Sequence, residues 1–133
     1  MGYIKYAIIA LLGWGFWAIG SKLLTRHFNT VSTSFWISLW SLVFLLSFIA
    51  YRKGLMVDRY ALFALPVGFI SLIAILAFYQ ALKLGPSSVV IPFTNMYVVL
   101  PVLFGFIVLK EAVTVTRVMG IIFAILATIF LSL

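Results

Sequence analysis

The residue types that most often carry out catalysis or bind metals are nearly absent from this sequence. Its only acids are Asp58 and Glu111, both at the boundaries of long apolar runs; its only histidine is His27, and it has no cysteine. Without a catalytic set or a cluster of metal ligands, the sequence predicts no enzyme, no cofactor and no metal site. No carboxylate lies in the middle of an apolar run, so a proton relay inside a membrane has no obvious carrier.

The fourth apolar run holds the most informative polar residues, Thr94, Asn95 and Tyr97, between Pro92 and Pro101. Each interior proline removes a helical hydrogen bond, and we predict that both bend the helix. Kinked helices with polar groups near the midplane are typical of transporter binding sites. We therefore predict that Thr94, Asn95 and Tyr97 line a substrate cavity. The alternative is that the polar groups make interhelical hydrogen bonds.

Aromatic and polar residues in the first and third runs extend this predicted cavity. Trp14 and Trp17 lie three residues apart on one helix face, and Tyr79 and Gln80 lie near the end of the third run. Such rings can line a cavity and stack on an apolar or aromatic solute. The alternative for the tryptophans is helix packing. Lys22 is placed to reach a cavity from its edge, or to snorkel to the interface.

Five apolar runs position these residues, at about 5–24, 32–51, 60–82, 86–109 and 115–133. A bilayer core about 30 Å thick needs roughly 20 apolar residues in a helix, and each run approaches or exceeds that length. Since backbone groups in lipid must be satisfied within the segment, each run is expected to be a helix. The sequence predicts an all-α integral membrane bundle of five transmembrane helices, forming a single domain over residues 1–133.

The basic residues predict an orientation rather than a nucleic-acid partner. The net charge is +7, but the nine lysines and arginines are scattered over the short loops and form no patch. Six fall on one side of the predicted bundle and three on the other. Because loops rich in Lys and Arg stay in the cytoplasm, we expect the N-terminus inside and the C-terminus outside.

Small residues mark two helix faces as contact surfaces. The last run carries Gly120, Ala124, Ala127 and Thr128, a small-xxx-small face that we assign to a dimer interface. The second run carries serines at helical spacing, which we interpret mainly as a seam between helices. These are Ser34, Ser38 and Ser41.

Taken together, these features resemble the EamA-type repeat of the drug/metabolite transporter superfamily over essentially the whole chain. The resemblance rests on short motifs in a shared order and spacing. They are Leu12-Gly13-Trp14-Gly15, Tyr79-Gln80-Ala81-Leu82-Lys83, Pro86-Ser87-Ser88-Val89-Val90, Pro101-Val102-Leu103-Phe104, Glu111-Ala112-Val113-Thr114 and Gly120. Most members fuse two such repeats in opposite orientations around a central cavity. The resemblance thus implies that this chain pairs with itself or with a second five-span chain.

Departures from the family pattern narrow the classes of solute and the transport mechanisms that we expect for this chain. The second run lacks the arginine that many relatives carry, and the first run lacks the glutamate that four-span multidrug members use for proton coupling. Lys110 replaces the glycine that usually precedes Glu111 in the family. The Glu111 carboxylate is expected to pair with Lys110 or Arg117. The resemblance then implies uniport or exchange of a neutral or zwitterionic metabolite.

The expected function is small-molecule transport across the inner or plasma membrane by a dimer with alternating access. One alternative is a flippase-like subunit that moves a lipid-linked headgroup. Another is a non-transporting membrane partner of a different protein. An inverted homodimer needs insertion in both orientations, which the six-to-three charge bias opposes.

Overall fold

The computed structural model describes residues 2–52 and 54–132, and within those ranges it is mainly helical and contains no strand. The all-α class and the five predicted helical segments are confirmed. The chain divides into two compact units at Leu84 and Gly85, which are described separately below. That residues 1–133 form one domain stays a prediction.

The first unit contains α1 (Gly2–His27), α2 (Thr30–Arg52) and α3 (Ala64–Leu84), with a 3₁₀ segment at Arg59–Phe63. Two side chains cap these helices. The Asn29 side-chain oxygen accepts from the Ser32 backbone N–H at 2.7 Å, and the Asp58 carboxylate accepts from the Arg59 N–H at 2.6 Å. Each satisfies a backbone donor that the first helical turn leaves without a partner.

Burial within the first unit is confined to one end of its helices. The buried residues lie in the last third of α1, the second turn of α2 and the last two turns of α3; they are Ala18, Ser21, Thr25, Thr33, Ser34, Tyr79 and Leu82. By contrast, residues 2–9, 41–48 and 59–74 are all exposed. The three helices therefore pack closely only where α1 ends, α2 begins and α3 ends.

The second unit contains α4 (Ser87–Asn95), α5 (Val99–Ile107) and α6 (Val115–Ser132). A 3₁₀ turn at Met96–Val98 separates α4 from α5 and lies between Pro92 and Pro101. Because of this turn, Pro101 is the third residue of α5, where the missing N–H removes no helical bond. Pro92 stays inside α4. The fourth predicted helix is thus interrupted at its middle.

Four helical segments are long and apolar enough to cross a membrane: Gly2–His27, Thr30–Arg52, Arg59–Leu84 and Ser87–Ile107. The fifth, α6, has 18 residues. At about 1.5 Å per residue it is roughly 27 Å long, at the short end for a hydrocarbon core of about 30 Å. Its predicted start at residue 115 agrees with the structure.

The turn from α5 to α6 contains an unusual backbone conformation. Lys110 has a φ of 53°, in the left-handed region that favours glycine. The Glu111 N–H donates to the Gly105 carbonyl at 3.0 Å, and the Glu111 carboxylate lies 3.7 Å from the Arg117 guanidinium. This pairing agrees with one of the two predicted for Glu111. Lys110, where the family resemblance implies a glycine, is thus a position at which the backbone conformation is unfavourable for the residue present.

We expect Lys110→Gly to stabilise the protein. A non-glycine residue in the left-handed region costs about 1 kcal/mol or more, although glycine also loses more backbone entropy on folding. The midpoint of thermal unfolding in detergent should therefore rise by a few degrees. Lys110→Ala is the matched control, because it removes the charge and keeps the strained φ. A rise of equal size for both variants would contradict the backbone explanation.

Candidate functional site

Three aromatic rings cluster where α1 and α3 pack. The Trp17 ring stacks on Phe78 at a centroid distance of 5.4 Å, and its centroid lies 5.9 Å from that of Tyr79. The Phe78 and Tyr79 centroids are 5.8 Å apart. Tyr79 is only 1% exposed, whereas Trp17 is 37% exposed. Large rings at such separations contribute beyond the area they bury, so this cluster joins α1 firmly to α3.

Several hydroxyls are buried at the same end of the first unit as the aromatic cluster. Ser21, Thr33 and Ser34 are 1%, 0% and 6% exposed. Among the residues that the structure describes, none supplies the hydroxyl oxygens of Thr33 and Ser34 with a hydrogen-bond partner, whereas the Ser21 hydroxyl lies beside that of Tyr79. Thr25 differs, because its hydroxyl donates to the Lys22 carbonyl at 2.9 Å. A buried polar group without a partner costs about 1–3 kcal/mol. Two such groups, at Thr33 and Ser34, thus oppose the packing of this end of the unit.

Two polar contacts join the helices at this end of the unit. The Lys22 ammonium donates to the Leu82 carbonyl at 2.5 Å, in the last turn of α3. There the terminal carbonyls lack helical partners and the helix dipole is negative, which favours a cation. The Thr30 hydroxyl donates to the Gln80 side-chain oxygen at 2.5 Å, which joins the start of α2 to α3. All three helices of the unit are thereby connected at this end.

The structure brings together only some of the predicted cavity residues of the first unit. Trp17 and Tyr79 are in contact, and the exposed Gln80 accepts from Thr30. Trp14 is 65% exposed, one turn before Trp17 on α1. Trp17 and Tyr79 thus meet in a packed cluster.

The remaining predicted cavity residues lie in the second unit. Asn95 and Tyr97 are exposed, in and beside the 3₁₀ turn. The half-buried Thr94 donates to the carbonyls of Val90 at 2.8 Å and Ile91 at 3.0 Å. Such back-bonding satisfies a threonine within its own helix. That all seven residues share one cavity stays a prediction.

Two of the four predicted dimer-interface residues, Gly120 and Ala124, line an open groove in the second unit. This groove has a volume of about 510 Å³, and its lining is mainly apolar. It is formed by Val98, Pro101, Val102, Phe106, Glu111, Arg117, Gly120, Ile121 and Ala124. Thr128 is buried and donates to the Ala124 carbonyl at 2.9 Å, while Ala127 is exposed. The assignment of this face to a dimer stays a prediction.

The structure combines long apolar helices, an interrupted fourth segment and neutral polar groups. A comparison with known families agrees with these features. Residues 1–133 match the EamA-like transporter family. The chain belongs to the EamA-like transporter family. It is one EamA-like repeat of the drug/metabolite transporter superfamily, and therefore a multi-pass membrane protein of a transporter family. Comparison with curated proteins and with solved structures found no match.

Sequence reasoning missed part of this site although a signal was present. Thr30, Thr33 and Ser34 follow the i, i+3, i+4 spacing of one helix face, and Ser21 and Thr25 are four apart. The helical spacing of the serines in α2 predicts a single seam between helices, but Ser34 is buried whereas Ser38 and Ser41 are exposed. The contact of Lys22 with Leu82 has no sequence signal, because a backbone carbonyl accepts it.

Leu82→Ala is expected to destabilise the first unit strongly. The Leu82 side chain is 0% exposed, and truncation of a buried leucine costs about 2–5 kcal/mol. Leu84→Ala is the control on the same helix, since Leu84 is 78% exposed. Thermal unfolding in detergent, followed by helical circular dichroism, measures both. Equal losses in the two variants would show that this end is not the packed region of the unit.

Proposed function

We propose that two copies of this chain, or this chain and a second five-span repeat, form an alternating-access transporter for a neutral or zwitterionic solute. The observation that carries the proposal is the match of the whole chain to a single repeat of a transporter family. One repeat encloses a central cavity only when a second repeat faces it, as the resemblance to two-repeat members implies. The expected placement is the inner or plasma membrane, with the N-terminus in the cytoplasm.

The distribution of acids favours uniport or exchange over proton coupling. Asp58 caps the 3₁₀ segment before α3, and Glu111 pairs with Arg117 in the turn before α6. Both carboxylates are exposed and lie outside the helices that cross the membrane. Apart from the basic residues and the indole N–H groups, the polar side chains inside the helices are hydroxyls and amides, which bind solutes without exchanging protons.

The interrupted fourth segment supports a role for Asn95 and Tyr97. A 3₁₀ turn in a membrane helix weakens the regular ladder of hydrogen bonds and commonly marks a hinge. Here the turn begins directly after Asn95 and contains Tyr97. Polar side chains beside broken helices near the midplane are the usual position of a transporter site.

A flippase-like subunit is the second candidate. The groove of about 510 Å³ in the second unit supports it, because an apolar lining with Glu111 and Arg117 matches a lipid-linked headgroup. A non-transporting partner protein is a third candidate; it predicts that Asn95 and Gln80 are satisfied by neighbouring helices. Solute transport into lipid vesicles that contain this chain as their sole protein distinguishes the first function from the other two.

Asn95→Leu should lower solute flux at least about ten-fold in vesicles that contain the purified protein. Leucine has a similar volume but removes the amide that the proposed site offers to the solute, and a lost hydrogen bond in such a site costs about 1–3 kcal/mol. Ser38→Ala, at an exposed position of α2, is the control. Unchanged flux for Asn95→Leu would remove Asn95 from the site. Flux that follows an imposed pH gradient would argue against uniport or exchange.

Oxidation of Ala124→Cys is expected to yield a covalent dimer. The chain has no native cysteine, so a disulfide can form only at the introduced position. Two cysteines form a disulfide only when their Cα atoms lie within about 7 Å, which requires that the two copies meet at α6. Val67→Cys, exposed on α3, serves as the control. Dimer formation by the control alone would move the interface away from α6.

A further inference from the structure

We propose that the groove of the second unit binds a bilayer phospholipid with a primary amine in its headgroup, of the phosphatidylethanolamine type. In this site the Glu111 carboxylate accepts hydrogen bonds from the lipid ammonium, and the Arg117 guanidinium donates to the lipid phosphate. One acyl chain lies along the apolar lining of the groove. The inference goes beyond the proposed transport function and does not depend on it, because the lipid is a bound component of the surrounding bilayer.

The groove extends from the membrane boundary into the apolar part of its helices. Its two charged residues, Glu111 and Arg117, lie in and just after the connection between the membrane-spanning segment Ser87–Ile107 and α6. Connections between spans lie at the level of the lipid headgroups. On α6 the lining continues from Arg117 to Ala124, which is roughly 10 Å along the axis at 1.5 Å per residue. Charge at the headgroup level with an apolar wall beneath it matches the polarity of a phospholipid.

The Glu111 carboxylate lies against the backbone of α5 because Gly105 has no side chain. A Cβ added at Gly105 would lie 3.3 Å from the carboxylate carbon and 3.4 and 3.5 Å from its two oxygens. The Glu111 N–H also donates to the Gly105 carbonyl at 3.0 Å. Gly105 is buried, whereas the Glu111 side chain is 53% exposed. The carboxylate is thus held in one position while part of it stays accessible to a ligand.

The two charges lie close together but too far apart for a short hydrogen bond. A guanidinium nitrogen of Arg117 is 3.7 Å from a carboxylate oxygen of Glu111, beyond the hydrogen-bond range of about 2.7–3.2 Å. The same nitrogen donates to the Ala112 carbonyl at 2.9 Å, which holds the guanidinium beside the groove. About half of each charged side chain is exposed, so both keep hydrogen-bonding capacity for a ligand.

The charges of the lining select a zwitterionic headgroup that carries N–H groups. Among the described residues that line the groove, one has a carboxylate and one a guanidinium; the neighbouring Lys110 does not line it. A phosphodiester matches the guanidinium, and a primary ammonium matches the carboxylate through charge-assisted hydrogen bonds. Phosphatidylcholine has no N–H to donate, and phosphatidylglycerol has no cation for Glu111. Phosphatidylethanolamine satisfies both groups.

A bound lipid and a second copy of the chain exclude each other at this groove. Gly120 and Ala124 line it, and both belong to the α6 face that we assign to a dimer. The charged pair favours the lipid, because an apolar helix face laid over Glu111 and Arg117 would remove two charges from water without a partner of its own. Where two chains pair through this face, the lipid must leave it.

Competition between lipids tests the site on the full-length protein. Delipidated protein in detergent receives equal amounts of dioleoyl phosphatidylethanolamine, dioleoyl phosphatidylcholine and dioleoyl phosphatidylglycerol, and native mass spectrometry measures which lipid stays bound. We expect one phosphatidylethanolamine per chain, bound at least about five-fold more often than either other lipid, because hydrogen bonds to charged groups are the stronger ones. The acyl chains are identical, so the comparison reports the headgroup alone.

Three substitutions separate the parts of the site. Glu111→Gln keeps the side-chain size and the backbone bond to Gly105, and we expect it to abolish the preference for phosphatidylethanolamine over phosphatidylcholine. Arg117→Gln should weaken the binding of both lipids, since both carry the phosphate. Gly105→Ala should reduce the preference, because the new Cβ crowds the carboxylate. The control is the double variant Asp58→Asn, Arg59→Gln, which neutralises an adjacent acid and base before α3 and should change nothing.

Four results would overturn the proposal. Equal binding of phosphatidylethanolamine and phosphatidylcholine by the unaltered chain, or a preference that survives Glu111→Gln, removes the carboxylate from the site. Stronger binding of phosphatidylglycerol means that basic charge alone attracts the lipid. A dimer that excludes all three lipids makes a second copy the occupant. Should Glu111→Gln fail to give a helical, monodisperse protein, Glu111→Asp, which withdraws the carboxylate by one methylene, provides the same readout.

The acyl chain is tested with glycerophosphoethanolamine, which has the headgroup without the chains. At the concentration of the lipid it should displace no bound phosphatidylethanolamine, and displacement would show that the groove holds no acyl chain. None of these measurements requires flux. A protein that transports a solute but shows no lipid preference contradicts the lipid site and leaves the proposed function standing, and the opposite pair of results does the reverse.

Discussion

The fold of this protein depends on the requirement that every backbone N–H and C=O in a lipid environment finds its partner within the chain. Helices satisfy this requirement locally, and for that reason a sequence with 66% hydrophobic residues forms helices over nearly all of its described length. The same requirement makes each interruption informative. Pro92, the 3₁₀ turn at Met96–Val98 and the polar residues beside it are departures that a purely structural membrane helix would not need.

The sequence predicted the helical segments well because hydrophobic length and short connections determine them almost alone. The predicted start of the last helix at residue 115 agrees with the structure, and Asn29 and Asp58 act as helix caps. The 3₁₀ turn within the fourth segment was harder to predict from the sequence. Two prolines predict a bend, but whether the chain kinks smoothly or changes its hydrogen-bonding pattern depends on the local balance of those bonds.

The candidate site was predicted only in part, for a physical reason. Trp17 and Tyr79 could be chosen by residue type, and the structure brings them together. Which hydroxyls are buried depends instead on the rotation of each helix about its axis, and in an apolar helix nearly every face looks alike. Ser34 and Ser38 have the same side chain one turn apart, yet one is buried and the other exposed. The Lys22 contact depends further on where α3 ends relative to α1.

The 3₁₀ turn also changes the angular phase of everything that follows it. A 3₁₀ residue advances about 120° around the axis and an α-helical residue about 100°, so three such residues add roughly 60° of rotation. The side-chain rows of α5 are therefore offset by about one sixth of a turn from a straight continuation of α4. A helical wheel drawn across residues 87–107 as one helix would therefore misplace Gly105 and Phe106 by about 60°.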